Sequence, residues 1–316
     1  MTNSTVSGNA SEGVRFRGDV LRVVHATITA NLGGGLKGAA PGTDGVHLAN
    51  AIVAGNVTAD LVDVLLDAAS ANNLIGGDPK LGPLADNGGP TWTHKPMPGS
   101  PALGAGSNAA AVLDGLTTDQ RGRPRFSGAV DLGAVEVQAP SVKSVDLGTG
   151  GPQRSSVKGP FTVTLGAGDG SVAVPPGSAF ELVRVSDGVG FPLTMAGTST
   201  TGGGVVEVKL ALAGAGLESG SLPDGRYTLT VHGAEVGDPT YGLAMASDHV
   251  TSFHRFFGDG NGDGLVDSRD VLAFRSAYLG GMVTASNWFF DVDGDGLFTM
   301  ADLQALNDRF RKRRLT

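Results

Sequence analysis

Cysteine is absent from the 316 residues, which excludes a disulfide framework, thiolate metal sites and cysteine nucleophiles, and leaves the redox compartment open. Charge is also scarce. Charged side chains make up 17% of the chain, below the usual quarter, and they are unbalanced, with a formal net charge of −8 and a pI near 5.2. Nucleic-acid affinity comes mostly from clustered Lys and Arg, so a phosphate-binding surface is disfavoured. The one basic cluster, Arg309, Arg311, Lys312, Arg313 and Arg314, reads as a solvated helix end whose cations suit the dipole. No apolar run approaches the length needed to span a bilayer. The six His (His25, His47, His94, His232, His249, His254) form no HExxH and no close pair, no G-x-S-x-G surrounds a Ser, and there is no Walker loop.

What the chain has is glycine, 51 residues, and proline, 16, spread among runs of Val, Thr, Leu and Ile rather than gathered in polar tracts. That mixture predicts short strands joined by tight turns, a mainly β protein, and the length predicts two or three domains.

Near the start three segments look alike: Ser4-Thr-Val-Ser-Gly-Asn9, Ala26-Thr-Ile-Thr-Ala-Asn31 and Ala51-Ile-Val-Ala-Gly-Asn56. A fourth, Asn73-Leu-Ile-Gly-Gly-Asp78, continues the series. Aligned on the final Asn or Asp, they also align Val6, Ile28, Val53 and Ile75. A period in the twenties, with one inward apolar residue and an Asn at the following turn, predicts stacked coils of a parallel β-helix. The string Asp78-Pro-Lys-Leu-Gly-Pro-Leu-Ala-Asp-Asn-Gly-Gly-Pro-Thr-Trp92, then Gly99-Ser-Pro-Ala-Leu103, Thr118-Asp-Gln-Arg-Gly-Arg-Pro-Arg125 and Asp131-Leu-Gly-Ala-Val-Glu136, resembles the terminal coils of bacterial secreted β-helix proteins of pectate-lyase-like architecture. The resemblance covers residues 1–138 and implies the end of a right-handed solenoid, not a chemistry. Met1 to Asn9 has no signal-peptide pattern, and the chain enters a coil at once, so upstream coils and a signal peptide are expected beyond this sequence. Asp119, Arg121, Arg123 and Asp131 are expected to form a salt-bridged cap. In the coils Asp19, Asp44, Asp60, Asp63 and Asp67 do not repeat in the coil register, so no catalytic pair is visible.

From Ser141 to about Val250 the pattern becomes alternation: Phe161, Val163 and Leu165; Val206, Val208, Leu210 and Leu212; Tyr227, Leu229 and Val231 after the Pro223-Asp-Gly turn. With Val142–Leu147, Val172–Val174 and Phe180–Val185 this predicts at least six strands, the size of an immunoglobulin-like sandwich over 141–250.

The chemistry is concentrated after residue 254. Calcium takes six to eight oxygen ligands, and a twelve-residue loop supplies them from positions 1, 3, 5, 7, 9 and 12, with Gly at 6. The first loop offers Asp259, Asn261, Asp263, Gly264, the Leu265 carbonyl, Asp267 and Asp270; the second offers Asp291, Asp293, Asp295, Gly296, the Leu297 carbonyl, Thr299 and Asp302. The register between the loops extends past the ligands: Phe256 and Phe257 match Trp288 and Phe289, while Val271, Phe274 and Tyr278 match Leu303, Leu306 and Phe310 on one face of a helix leaving each loop. Solvated acidic turns would not explain that register.

Loop followed by helix, doubled, with Asp at position 12 and no long helix before either loop, is similar to type I dockerins over residues 256–310. The resemblance implies two Ca2+ ions, a near two-fold arrangement and a cohesin domain as partner. In the best-known pattern hydroxyls at loop positions 10 and 11 contact cohesin, whereas this chain has Ser268-Arg269 and Met300-Ala301, followed by Arg275-Ser276 and Asn307-Asp308. The two helices therefore present unequal faces. Without metal the crowded carboxylates are expected to leave the module loose, so that folding and calcium binding form one event.

The expected protein is thus three domains: terminal β-helix coils over 1–138, a sandwich over 141–250 and a dockerin over 254–316. It is expected outside the cell or on its surface, docking to a cohesin-like partner, with the β-rich parts as a display or polysaccharide-contacting scaffold. The alternative is the C-terminal part of a polysaccharide lyase or glycoside hydrolase delivered by that dockerin.

Overall fold

The computed structural model describes residues 1–18, 20–39 and 45–312. Asp19 and Asp44, and Arg313 and Arg314 of the basic tail, lie outside the described residues. The protein is mainly β, with a small helical region at the C-terminal end. It divides into two compact units, Met1–Ala139 with Gly168–Gly170, and Pro140–Ala167 with Ser171–Thr316.

The first unit is built from ten short strands: β1 (Thr5–Ser7), β2 (Glu12–Arg15), β3 (Val20–Val24), β4 (Thr27–Thr29), β5 (Gly34–Lys37), β6 (Gly45–Ala49), β7 (Ile52–Val53), β8 (Leu61–Val62), β9 (Leu65–Leu66) and β10 (Leu74–Ile75). They form three sheets, β1-β4-β7-β10, β2-β5-β8 and β3-β6-β9, and every pairing is parallel. Each turn of the chain thus adds one strand to each sheet. In the first sheet Val6 pairs with Ile28, Ile28 with Val53 and Val53 with Ile75, and Ile28 and Val53 are wholly buried beside Val23, Leu36, Val46 and Leu48.

The residue before each aligned Asn or Asp is left-handed: Gly8 (φ 71°), Ala30 (56°), Gly55 (71°) and Gly77 (72°). That conformation ends the strand and aims the next side chain along the stack. Asn9 Nδ2 donates to Asn31 Oδ1 at 2.8 Å, and Asn31 Nδ2 donates to Asn56 Oδ1 at 2.8 Å. The fourth rung is Asp60, not the aligned Asp78: Asp60 Oδ1 accepts both Asn56 N–H (3.1 Å) and Asn56 Nδ2 (2.8 Å), while Asp78 turns to Lys80 N–H at 2.8 Å. A carboxylate has no N–H to pass on, so the ladder stops there.

The coils end in a buried ionic network. Arg121 Nε donates to Asp119 at 2.8 Å, and its two terminal nitrogens reach Asp169 at 2.9 and 3.0 Å, with Arg123 joining Asp169 at 3.0 Å. Among the described residues Asp131 pairs with no arginine; it accepts Gly104 N–H and Val137 N–H, both at 2.7 Å. Arg125, fully buried, stands 3.7 Å from Glu136. Desolvation by burial, then the Asp131 charge, push the Glu136 carboxyl up to about 9, and desolvation raises Asp131 to about 6.

The second unit begins with two antiparallel sheets. One has β11 (Ser141–Asp146), β12 (Phe161–Gly166), β14 (Leu193–Thr201) and β15 (Val205–Leu212) in the order β11-β12-β15-β14; the other has β13 (Phe180–Arg184), β16 (Gly225–Val231) and β19 (His249–Arg255) in the order β13-β16-β19. A hairpin of β17 (Gly237–Asp238) and β18 (Leu243–Ala244) lies between β16 and β19 in the chain. Alternate residues of the two sheets share one core, with Phe161, Val163, Leu165, Val206, Val208 and Leu210 from one and Leu182, Tyr227, Leu229 and Val231 from the other. Tyr227 stacks on Phe253 at 5.5 Å, and its hydroxyl donates to Pro223 O at 2.6 Å.

The segment Val172–Val174 is not a strand. It makes a single bond, Ala173 N–H to Gly237 O at 3.0 Å, and runs into Pro175-Pro176, which have no N–H to continue a ladder. Conversely, β14 has little alternation to announce it. It is an outer strand, mostly exposed, so Thr and Ser serve where apolar residues would have nothing to cover.

A carboxyl whose folded pKa exceeds its unfolded value contributes stability below the unfolded pKa and loses it as pH rises through the folded one. For Glu136 that window runs from about 4.5 to about 9. The first unit should therefore resist urea better at pH 7 than at pH 9, and Glu136→Gln, which keeps an acceptor for Asp131 N–H, should flatten the difference. An unchanged pH slope in that variant would contradict the assignment.

Candidate metal centre

Strand β19 pairs along its whole length with β16, Arg255 opposite Gly225, and delivers the chain directly into the first loop. Asp259 at position 1 is wholly buried. Its Oδ1 accepts Gly262 N–H at 2.6 Å and its Oδ2 accepts Gly264 N–H at 2.9 Å, with His254 Nε2 2.7 Å from the same Oδ2. Asp263 N–H donates to Asn261 Oδ1 at 2.9 Å, and Leu265 N–H to Asp263 Oδ1 at 3.0 Å. Asp270 at position 12 closes the ring: Oδ1 accepts Gly260 N–H at 3.0 Å and Oδ2 accepts Asp267 N–H at 2.9 Å. Asp267 in turn caps helix α2 (Ser268–Gly280) by accepting Arg269 N–H, so Asp267 and Asp270 form a reciprocal capping pair. The first unit carries its own short helix, α1 (Asn108–Leu113).

The second loop repeats the scheme. Asp291 Oδ1 and Oδ2 accept Gly294 N–H (2.7 Å) and Gly296 N–H (2.9 Å), and Asp302 Oδ1 and Oδ2 accept Val292 N–H and Thr299 N–H, both at 2.7 Å. Asp295 N–H donates to Asp293 at 3.3 Å and Leu297 N–H to Asp295 at 2.8 Å. Position 6 is left-handed in both, Gly264 at φ 82° and Gly296 at φ 83°, a conformation that an L side chain resists. Helix α3 (Met300–Lys312) leaves this loop as α2 leaves the first.

The helices close on one cluster. Phe256, Phe257, Val266, Phe274, Phe290 and Leu306 are buried, with Val271, Tyr278, Leu303 and Phe310 packed around them. Phe274 meets Phe290 edge-on at 5.5 Å and stacks on Tyr278 at 5.8 Å. Of the second repeat's leading aromatics it is Phe290, one position on from the aligned Phe289, that fills the core.

Oxygens of Asp291, Asp293 and Asp302 lie within 4.8 Å of one another, the one such acidic group among the described residues. An all-oxygen set with the Thr299 hydroxyl 3.3 Å from Asp302 Oδ2 suits a hard divalent cation such as calcium. Loss of hydration, then the neighbouring charges of Asp295 and Asp302, raise the Asp293 carboxyl above its ordinary range. Asp270 is raised too, first by burial and then by Asp259 and Asp267. Asp267 is held low, chiefly by its bonds from Arg269. Among the described residues the acids of the coils do not converge in this way: Asp60 serves Asn56, and Asp67 pairs with His47 at 3.0 Å.

Residues 257–311 match the family model described as Dockerin type I domain. Domains of that family bind calcium, and their partner is a cohesin. No curated protein and no solved structure matches this chain. Among the described residues no helix is long and apolar enough to cross a membrane.

The dockerin segment is tied into the same compact unit as the two sheets, through residues that the ligand pattern does not reveal. Arg255, 1% exposed, donates from Nε to Ser155 O at 3.0 Å and from Nη1 to Glu218 and Asp224 at 2.6 and 2.7 Å. Asp224 also accepts Phe257 N–H at 2.8 Å and Arg309 Nε at 2.8 Å. Ser155 Oγ accepts Gly258 N–H at 2.8 Å and donates to Phe289 O at 2.7 Å. The sequence carries one trace of this seam, an Arg at an inward position of the alternating run Thr251, Phe253, Arg255. Removing Asp224 takes one of two carboxylates from the buried Arg255 and leaves the Phe257 N–H and Arg309 Nε without that acceptor. Asp224→Ala should therefore cost about 1–3 kcal/mol in urea unfolding followed by tryptophan fluorescence, against under about 1 kcal/mol for a substitution such as Asp308→Ala on the exposed side of α3.

Proposed function

We propose that this chain is an extracellular protein that docks to a cohesin through a calcium-loaded dockerin. Two ions are held, one by Asp259, Asn261, Asp263, the Leu265 carbonyl, Asp267 and Asp270, the other by Asp291, Asp293, Asp295, the Leu297 carbonyl, Thr299 and Asp302. Residues 1–138 are the terminal coils of a right-handed parallel β-helix of pectate-lyase-like architecture, and 141–250 an immunoglobulin-like sandwich. Together they form a display or polysaccharide-contacting scaffold. The three parallel sheets with stacked Val6, Ile28 and Val53 support the first assignment, and the Tyr227 hydroxyl bonded back to Pro223 O supports the second, since such a tyrosine corner recurs in sandwiches of this class.

The observation that carries the docking reading is the bond-for-bond repetition of the two loops on the family match over 257–311. Isothermal titration of the intact chain should show two calcium ions bound per chain, falling to one in Asp302→Ala. Immobilised type I cohesins should retain the chain in millimolar calcium and release it in EGTA. Absence of calcium uptake by the intact chain would defeat this reading, and uptake without retention by any cohesin tested would defeat its partner assignment.

A further inference from the structure

The loops repeat one another in backbone bonds but not in charge. Position 11 is Arg269 in the first loop and Ala301 in the second. The Arg269 guanidinium lies across two carboxylates that the first loop offers a cation: Nη2 donates to Asp263 Oδ2 at 3.0 Å and to Asp267 Oδ2 at 2.8 Å, and Nε donates to Asp267 Oδ2 at 3.2 Å. Asn261 Nδ2 also donates to Asp263 Oδ2, at 3.2 Å. Asp263 Oδ1 is taken by Leu265 N–H. The acids at positions 5 and 9 are therefore already served by a cation of the chain itself.

In the second loop, Ala301 donates only its N–H to Thr299 Oγ1, at 3.2 Å, and its methyl side chain brings no charge to Asp295. Among the described residues, Asp291, Asp293, Asp295 and Asp302 form no ion pair with any Lys, Arg or His. Three of them crowd within 4.8 Å. The acids of one loop are thus paired with a cation of the chain, and those of the other are not.

We propose that Arg269 is a built-in competitor for calcium, which makes the second loop the site that fills first and the first loop the weaker, later site. This rests on the reading of both loops as calcium sites. The contest is between a guanidinium and a divalent ion for the same oxygens of Asp263 and Asp267, and the guanidinium must swing away before the ion can take them. Its side chain is 66% exposed, so leaving is cheap; surface pairs of this kind are worth a factor of about two to five in an equilibrium. Arg269 therefore lowers the first loop's affinity without abolishing it, and it holds Asp263, Asp267 and the start of α2 together before metal arrives. Stepwise filling replaces the single folding-and-binding event that the carboxylate count alone predicts.

The two glycines at position 6 report the loops separately. In the intact, isotope-labelled chain titrated with buffered calcium, the Gly296 amide signal should move at lower calcium than that of Gly264. Arg269→Gln should shift the Gly264 transition about two- to fivefold toward lower calcium and leave Gly296 in place. Ala301→Arg, the reciprocal graft onto an exposed position, should shift Gly296 toward higher calcium. Coincident transitions in the parent chain, or a Gly264 midpoint that Arg269→Gln leaves unmoved, would overturn the proposal while leaving both loops as calcium sites. A chain in which neither glycine responds to calcium would instead overturn the calcium reading, and this proposal with it.

Discussion

An aspartate carboxylate accepting backbone N–H groups is the joint that holds most of the irregular chain in this protein. Asp119 accepts Arg121, Arg123 and Glu136 N–H; Asp131 accepts Gly104 and Val137; Asp238 accepts Ser171 and Thr240; Asp259 and Asp291 each accept two glycine N–H groups of their loops. One such side chain fixes several amides at once, and bonds to a charged acceptor are about twice as strong as neutral ones. With no cysteine to staple turns and glycine abundant in them, the chain relies on this device where strands end.

Its cost is the desolvation of a negative charge, and the two units meet that cost differently. In the coil terminus the compensating cations are Arg121, Arg123 and Arg125, all within the chain. In the second C-terminal loop several acids converge without an ion pair among the described residues, so the same architecture that organises the backbone also creates a demand for a divalent cation. Structure at one end and function at the other follow from a single balance between amide bonds gained and hydration lost.

Features governed by local rules were legible in the sequence. The aligned Val6, Ile28, Val53 and Ile75, the alternating runs at 161–165 and 206–212, and the glycine-marked loops after Phe257 each follow from periodicity or turn chemistry. What escaped depends on which partner happens to be near in space. Asp60 rather than Asp78 finishes the Asn ladder because it returns to the rung within its own coil. Asp169, outside the coils in sequence, neutralises Arg121. The outer strand 193–201 shows little apolar alternation because one of its faces is not covered. The seam built from Ser155, Asp224, Arg255 and Arg309 joins residues that are far apart in the chain and individually unremarkable, so no short-range pattern marks it.

That seam bears on how such a protein can be rearranged in evolution. Modules that hang on flexible linkers are exchanged between proteins by recombination at the linker, with neither side needing to change. Here the boundary follows directly on a strand that is continuous with the first loop, and Asp224 and Ser155 on one side of it bond Phe257, Gly258, Phe289 and Arg309 on the other. A segment moved by a cut at Phe256 would arrive without Asp224 and Ser155, so its Phe257 and Gly258 N–H groups, Phe289 O and Arg309 would lose the partners they have here. The sheets and the loop-helix pair therefore form a single heritable cassette, which can move between genes together but not apart.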